Sequence, residues 1–305
     1  MSKHGFITNF QDFAVHDGFG LRVLLFLKGC PLRCTWCQNP EAISTEYELM
    51  FHPKLCKGCG KCLEVCEVKA INNDGTEKVD RSKCNKCMKC TYVCPTGALA
   101  RKGKWISSDE VVQTFIDYKP FFDNSDKGGI TLSGGEPLFQ PEFAIDILQK
   151  CREKGIHTAM ETCGYANYSV VSEVVKHLDL LMYDIKHMDE IKHKKGTGVS
   201  NKKILENLAN IRRDFPDLEI FIRIPLIPGF NDDEENITQT AKFLASIGID
   251  KLDILPFNFL ADAKYNALGI EWRHKRDERQ DDEHLQKLAE KAKLYVPDVT
   301  IGGLR

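Results

Sequence analysis

Eleven of the chain's thirteen cysteines fall in three short runs, and this spacing constrains the fold more than any other feature. The runs begin at Cys30, Cys56 and Cys84, while Cys151 and Cys163 stand apart. The segment "MSKHGFITNFQDF" has no apolar stretch ahead of a small-residue cleavage site, so it does not resemble a secretory signal. Short C-x2-C spacings in such a chain favour metal ligation over disulfides. We therefore expect a reducing, cytoplasmic and anaerobic setting.

The second and third runs share the spacing C-x2-C-x2-C-x3-C, which is that of bacterial ferredoxins. In two-cluster ferredoxins the fourth cysteine of each run binds the other cluster. The predicted ligand sets are Cys56, Cys59, Cys62 and Cys94 for one [4Fe–4S] cluster, and Cys84, Cys87, Cys90 and Cys66 for the other. The alternative is a zinc module, since tetrahedral sulfur sites serve both metals. Residues 51–102 are expected to form an inserted, small α+β ferredoxin-like domain, acting as an electron relay, a docking surface or a structural element.

The remaining residues, 1–50 and 103–305, alternate apolar segments with amphipathic helical patterns. The predicted strands lie in "LRVLLF", "GGITLSGG", "HTAMETCG", "LDLLMYDIK", "EIFIRIPLIPG" and "DKLDILPF". This alternation implies right-handed βαβ units and a parallel sheet. Because six strands are too few for a complete eight-stranded barrel, we predict an α/β fold with a partial (β/α)6 TIM-like barrel. A doubly wound sheet is the alternative, and in both folds the active site lies at the carboxyl ends of the strands.

The first cysteine run, "GCPLRCTWCQNPEA", supplies only Cys30, Cys34 and Cys37. A [4Fe–4S] cubane held by three thiolates leaves one iron without a protein ligand. That iron can bind a small molecule, as the open position of a catalytic zinc does. The alternative is an ordinary cluster whose fourth ligand is the distant Cys151 or Cys163.

C-x3-C-x2-C with an aromatic residue, here Trp36, before the last cysteine resembles the signature of the radical S-adenosylmethionine (SAM) enzymes. In that family the open iron chelates SAM, and one electron cleaves the S–C5′ bond to give a hydrogen-abstracting 5′-deoxyadenosyl radical. The segment "SGGEP" is similar to the family's GGE motif, through Gly134, Gly135 and Glu136. The carboxylate and the carbonyls of a side-chain-free turn suit the ammonium group of SAM. The resemblance implies SAM and three [4Fe–4S] clusters in all.

Within that family the chain resembles the activating enzymes of glycyl radical enzymes (pyruvate formate-lyase-activating-enzyme-like) over nearly its whole length. The matching segments are "HDGFGLR", "MYDIKHMDEIKHKKGTGVSNKKILENL", "RIPLIPGFNDDEENI" and "LPFNFLADAKYNALG". A two-cluster insert is typical of activators of C–C, C–N or C–O lyases. The resemblance implies that the radical takes a Cα hydrogen from a glycine of a large partner enzyme. The sequence does not say which partner.

The resemblance also implies roles for single residues. Asp184 and Lys186 would hold the ribose and carboxylate of SAM, and Arg223 would lie near its methionyl group. Glu161, Thr162 and Met182 match a candidate monovalent-cation site, Asn258 matches a residue near the adenosyl group, and Asp17 would contact the partner's glycine loop. Ordinary alternatives are a solvated charge for Lys186, a surface ion pair for Arg223 and a core position for Met182.

Three positions depart from the family pattern. Phe19 stands where proline is usual, Asn258 where histidine is frequent, and Glu161 where aspartate is common. Asparagine can still donate a hydrogen bond but cannot titrate. None of these departures removes a cluster ligand or the GGE carboxylate.

The net charge and the hydropathy of the chain indicate which kinds of partner to expect. The net charge of −2 disfavours nucleic acid, and no apolar run approaches the length of a membrane span. We expect a monomer that receives electrons from a flavodoxin or ferredoxin-type donor. Two other functions remain open: a radical SAM enzyme acting on a small molecule or another peptide, and a non-catalytic ferredoxin-type electron carrier.

Overall fold

A computed structural model gives the structure of the chain and describes residues 2–72 and 78–303. The strands are β1 (His4–Ala14), β2 (Arg22–Leu27), β3 (Glu48–Phe51), β4 (Leu99–Lys102), β5 (Lys104–Ser107), β6 (Gly129–Gly134), β7 (His157–Thr162), β8 (Leu180–Asp184), β9 (Glu219–Pro225), β10 (Lys251–Leu255) and β11 (Asp298–Ile301). The helices are α1 (Lys61–Glu64), α2 (Lys89–Tyr92), α3 (Ser108–Asp123), α4 (Pro141–Glu153), α5 (Tyr168–Val175), α6 (Glu190–Thr197), α7 (Lys202–Asp214), α8 (Glu234–Ser246), α9 (Asp262–Leu268) and α10 (Asp282–Lys293). Short 3-10 turns follow β2 and β6, at Pro40–Ala42 and Pro137–Phe139.

The described strands, apart from β3 and β4, form a nine-stranded sheet in the order β11-β10-β9-β8-β7-β6-β2-β1-β5. The six predicted strands are β2 and β6 to β10, which lie side by side and pair in parallel. This confirms an α/β fold with a mostly parallel sheet. Strands are added in one direction from β2 to β11, without the reversal of order that defines a doubly wound sheet.

Alternation along the strands separates two faces of the sheet. Side chains such as Leu25, Leu132, Leu181 and Ile222 belong to the main hydrophobic core, together with the buried faces of α3, α4, α5, α7, α8 and α10. The opposite face carries polar side chains at the carboxyl ends of the strands. Because β2 and β6 to β10 run parallel, their carboxyl ends lie at one edge of the sheet, and the loops that follow β2, β6, β7 and β8 are brought together.

Phe19 packs on the face of the sheet that does not contact the main core. Its ring lies 5.6 Å from that of Phe221 at an interplanar angle of 77° and contacts a small cluster that includes Met182. Its carbonyl accepts a hydrogen bond from Arg22, which is fully buried and also donates to Thr131 Oγ1 at 2.6 Å. The residue that replaces the usual proline is therefore anchored by packing and by Arg22.

The cysteine-rich region has its own sheet and its own core. Among the described residues, β3 and β4 pair antiparallel, with Glu48 opposite Lys102 and Phe51 opposite Leu99. Their apolar side chains pack with Ile71 and with six of the region's eight cysteines in a separate hydrophobic cluster. Residues 73–77 of the predicted insert lie outside the described residues. The chain thus leaves and rejoins the main fold through two paired strands.

None of the helices that the structure describes combines the length and apolarity needed to cross a membrane.

Candidate active site

The loop after β2 holds the three-cysteine run in a fixed backbone frame. Its amides donate to carbonyls of two neighbouring elements: Gly29 and Cys30 to Ala42 and Ile43 at 2.7 and 3.0 Å, and Arg33 and Thr35 to Thr197 and Gly196 at 2.7 and 3.0 Å. Gly29 has φ +105°, a conformation that suits glycine. The segment that contains Ala42 and Ile43, together with the carboxyl end of α6, therefore fixes the backbone that carries the three thiols.

The three thiols are partly buried and lie within electrostatic reach of one another. Burial, with the charge of the neighbouring Cys34 as a smaller cause, raises the pKa of both Cys30 and Cys37 to about 12. Glu136 also raises the pKa of Cys30. Thiolates in such surroundings need nearby positive charge, which bound iron supplies.

Glu136 is 2% exposed, and the turn after β6 places its carboxylate among four donors. Oε1 accepts from Thr162 Oγ1 at 2.6 Å and from the Leu138 amide at 3.1 Å. Oε2 accepts from both the amide and the thiol of Cys163 at 2.9 Å. The preceding glycines allow this close approach, since a Cβ on Gly135 would lie 2.4 Å from the Gly29 carbonyl oxygen.

Asp184 and Lys186 form an ion pair of 2.7 Å at the end of β8. Lys186 is only 8% exposed, so it is not the solvated charge of the ordinary alternative. Burial lowers the pKa of Lys186, but Asp184 and then Cys34 outweigh burial and hold that pKa above its usual range. The ammonium group therefore stays charged beside the three-cysteine loop.

Arg223 joins a second charged cluster on the same face of the sheet. It forms an ion pair with Glu161 and lies 3.7 Å from Asp17. Burial, and then the charge of Glu161, raises the pKa of Asp17 to about 7. Burial opposes ionisation of Glu161, but Arg223 holds the pKa of Glu161 below its usual range. The Arg223 Nε atom is buried without a hydrogen-bond partner among the described residues.

The three residues of the candidate cation site make different contacts. Arg223 lies between two of them, because its Nη1 atom binds Glu161 and approaches Met182 Sδ at 3.8 Å. Thr162 instead donates to Glu136. Binding of a monovalent cation here stays a prediction, as does the contact of Asp17 with a partner.

Trp36 lies within the three-cysteine loop, and Asn258 lies beside it. Trp36 is 5% exposed and packs against Phe230, with ring centroids 4.8 Å apart, in a cluster that also contacts Cys34. The backbone carbonyl of Asn258 accepts a hydrogen bond of 2.8 Å from Nε2 of Gln38, the residue that follows Cys37. Their predicted contacts with a cofactor stay predictions.

The two isolated cysteines have different surroundings. Cys151 lies on α4 in the main core, and burial alone raises its pKa to about 12. The Cys163 thiol donates a hydrogen bond to Glu136. Burial raises the pKa of this thiol, and the charges of Glu136 and Cys30 add to the effect. Sequence reasoning weighed Cys163 only as a distant ligand and missed this contact, although its place in "ETCG", directly after a strand, was a usable signal. It also assigned no role to the buried Arg22 or to Asp253, which is fully buried on β10.

The structure brings together the members of each predicted set in the cysteine-rich region. A small cavity is lined by Cys56, Cys59, Cys62 and Cys94. Burial, followed by the charges of Cys84, Cys87 and Cys66, raises the pKa of Cys90 to about 11. Ligation of clusters by these sets stays a prediction. In the described part of the chain, no group of three or more His, Cys, Asp or Glu side chains is placed to hold a metal ion.

Comparisons with known proteins give two family matches. Residues 82–241 match the radical SAM superfamily, and residues 55–98 match the 4Fe-4S dicluster domain. The isethionate sulfite-lyase activating enzyme of Oleidesulfovibrio alaskensis is 44% identical over 270 residues, which cover 87% of each chain. The (2S)-3-sulfopropanediol dehydratase activating enzyme of Klebsiella oxytoca is 40% identical, covering 95% of this chain and 94% of that one.

A solved structure supports the fold. Streptococcus suis SuiB bound to the precursor peptide SuiA superposes with a TM-score of 0.57 at 13% identity, covering 93% of this chain and 49% of that chain. The fold and the family matches define a radical SAM enzyme with a dicluster iron–sulfur domain. Within that class, the chain belongs to the activating enzymes of glycyl radical enzymes, as its full-length relatives do. The predicted family and enzyme class are confirmed, and the non-catalytic electron carrier is disfavoured.

Proposed function

We propose that this enzyme cleaves SAM reductively and uses the 5′-deoxyadenosyl radical to remove a Cα hydrogen from one glycine of a partner glycyl radical enzyme. The observation that carries the proposal is the convergence of charged strand-end residues on the three-cysteine loop. Glu136 acts electrostatically on Cys30, and Lys186 acts on Cys34. A site that only stored electrons would not need a buried carboxylate and a buried ammonium group beside its thiols.

Cys30, Cys34 and Cys37 fit as the ligands of a [4Fe–4S] cluster. Burial raises the pKa of all three thiols, and the charge of Cys34 adds to this at Cys30 and Cys37, so bound positive charge would favour their ionisation. That cluster, together with SAM, supplies the one-electron cleavage chemistry when both are bound. The neighbouring Cys163 is already bonded to Glu136, which favours an open fourth position over a fourth protein thiol.

The strand-end residues would bind and orient the cofactor. Glu136 would accept hydrogen bonds from the SAM ammonium group, and Lys186 would attract the SAM carboxylate. Asp184 can bind a ribose hydroxyl through the oxygen that does not hold Lys186. Because these side chains are held by buried bonds before ligand arrives, little ordering is required on binding.

Asp17, Glu161 and Arg223 would receive the partner's glycine loop. With a pKa near 7, Asp17 carries a proton over much of the neutral range and can donate it to a backbone carbonyl of the loop. Arg223 keeps Glu161 ionised, so the Glu161 carboxylate accepts hydrogen bonds in this group of side chains and does not donate them. The loop has to leave the partner's own core to reach the site, so a conformational change in the partner is required.

Residues 51–102 would form the inserted two-cluster domain beside a partial (β/α)6 barrel. The two four-cysteine sets would hold the second and third [4Fe–4S] clusters. Cys59 and Cys87 are exposed, so each cluster would have an edge near the surface. Such edges suit electron transfer from a flavodoxin or ferredoxin-type donor. We propose a cytoplasmic monomer that meets its partner transiently.

The names of the relatives suggest which partner to test first. They include activating enzymes of isethionate sulfite-lyase, of (2S)-3-sulfopropanediol sulfolyase and of choline trimethylamine-lyase. We propose a partner of the same broad kind, a lyase that cleaves a bond from carbon to sulfur, oxygen or nitrogen. Isethionate sulfite-lyase is the first candidate because its activator has the highest identity among these three.

The test is anaerobic reconstitution followed by mixing with candidate lyases. About twelve iron atoms per chain are expected, four for each cluster. The mixture with SAM and a reductant should give 5′-deoxyadenosine and a glycyl radical signal in electron paramagnetic resonance, which changes when the partner's glycine carries deuterium at Cα. Cleavage of SAM with no radical in any lyase would favour a small-molecule substrate instead.

A further inference from the structure

Glu136 has no free acceptor position in the structure described above. A carboxylate offers about four lone-pair sites, two on each oxygen. Thr162 and the Leu138 amide occupy those of Oε1, and the amide and thiol of Cys163 occupy those of Oε2. An incoming ammonium group must therefore displace one of these four donors.

The four donors differ in how readily they can leave. Two are backbone amides fixed by the turn after β6 and by the end of β7. The Thr162 hydroxyl is also an acceptor for the Gly164 amide at 2.9 Å, so moving it would break two bonds. The Cys163 thiol is a weak donor, and a buried free thiol behaves as a small apolar group that tolerates loss of its bond.

We propose that the Cys163 thiol holds the place of the SAM ammonium group on Glu136 Oε2 and is exchanged for it when SAM binds. The thiol keeps its proton, and only the hydrogen bond is exchanged. Cys163 is thus a positioning residue. In the free enzyme its thiol donates a hydrogen bond that holds the Glu136 carboxylate in place, and this weak bond is easily broken when SAM binds. This inference rests on the proposed function, since it assumes that Glu136 receives SAM.

Two substitutions at position 163 separate this role from simple packing. Cys163→Ser supplies a stronger donor that must still be displaced, so SAM binding should weaken roughly fivefold. Cys163→Ala leaves one acceptor position open, so SAM should bind as tightly as to the wild type or tighter. If Cys163 only filled space, the order would be reversed, because serine nearly conserves the volume and alanine leaves a cavity.

The measurement is the dissociation constant of SAM for the anaerobically reconstituted enzyme, by equilibrium dialysis without reductant. 5′-Methylthioadenosine, which lacks the amino acid part, should bind all variants equally. Cys151→Ser and Cys151→Ala are matched controls at a buried cysteine outside the site, and neither should change SAM affinity. In the wild type, the infrared S–H band that is absent from Cys163→Ala should shift on addition of SAM as the thiol loses its acceptor.

The results divide cleanly. Weaker binding to the serine variant with retained binding to the alanine variant, and a shifted S–H band, support the exchange. The exchange is overturned if the serine and alanine variants bind SAM equally well, if the alanine variant binds SAM more weakly than the serine variant, or if the S–H band does not move. Absence of SAM binding to the wild type would overturn the proposed function, which is a distinct result.

Discussion

The three-cysteine loop and the eight-cysteine insert use the same ligand in different surroundings. The loop is bonded through its backbone to the end of α6 and lies beside buried charged groups, Glu136 and Lys186. The insert packs six of its eight cysteines in a separate apolar cluster, while Cys59 and Cys87 are exposed. Residues 51–102 hold eleven Lys and Arg against five Asp and Glu, although the whole chain has 42 against 44. We therefore expect that cysteine spacing determines where a cluster binds, while the charges around the cysteines determine whether a bound cluster contacts a small-molecule ligand or another electron carrier.

Removing one thiol from the loop should give the largest difference between the two regions. Cys34→Ala is expected to reduce SAM cleavage to background, because the remaining two thiols would not hold the proposed cluster. Iron analysis should still find about eight atoms per chain in the insert, four for each cluster. Cys151→Ala, in the main core, is the control. Residual cleavage above background would move the catalytic cluster elsewhere.

Removing Arg223 should destabilise the protein more than removing an arginine from the insert. Arg223→Ala leaves Glu161 and Asp17 buried without their guanidinium partner, and we expect a loss of about 3 kcal/mol of unfolding free energy. Arg101, which lies over Tyr47 and Tyr92 on the insert, is the matched control. Arg101→Ala should cost no more than about 1 kcal/mol. Urea unfolding of both anaerobic holoenzymes checks this, and equal losses would contradict a buried cluster.

The same cluster should make stability depend on pH. The pKa of Asp17 is about 7 in the folded chain and 3.8 ordinarily, so folding becomes less favourable as pH rises from about 4 to about 7. Asp17→Asn removes this titration. Its stability relative to the wild type should increase by about 2 kcal/mol between pH 5.5 and pH 8.

A carboxylate of the insert supplies the control for that measurement. Hydrogen bonds from Lys83 and Ser82 hold the pKa of Asp80 below its usual range, so Asp80 stays ionised throughout this window. Asp80→Asn should therefore show the same difference from the wild type at pH 5.5 and pH 8. If the Asp17 variant behaved in the same way, Asp17 would not be a protonated group near neutral pH.

The smallest effect should come from the insert itself. The double variant Cys59→Ala/Cys87→Ala should cleave SAM within about twofold of the wild-type rate when a chemical reductant is used, because distant sites act independently. With a flavodoxin or ferredoxin donor its rate should fall further if the insert relays electrons. Loss of cleavage with the chemical reductant, to the level of Cys34→Ala, would mean that the two regions are one functional unit.

The sequence predicted the six central strands because each is apolar and ends in an unusual motif. It missed β1, whose exposed Asn9, Gln11 and Asp12 hide the alternation of buried residues, and it missed β5 and β11, which are only four residues long. Motifs identified Glu136 and Lys186 as residue types suited to a charged ligand. They could not show that Glu136 is bonded to Cys163, since that contact depends on how β6 and β7 pack.

The pairing of β3 with β4 has a consequence for how such a chain can change over evolutionary time. Because Glu48 faces Lys102 and Phe51 faces Leu99, the two ends of the cysteine-rich segment lie side by side. A deletion between them could be closed by a short hairpin without separating the strands of the larger sheet. The cysteine-rich segment can therefore be gained, lost or exchanged as a unit during evolution, while the strands that carry the proposed active site keep their pairing.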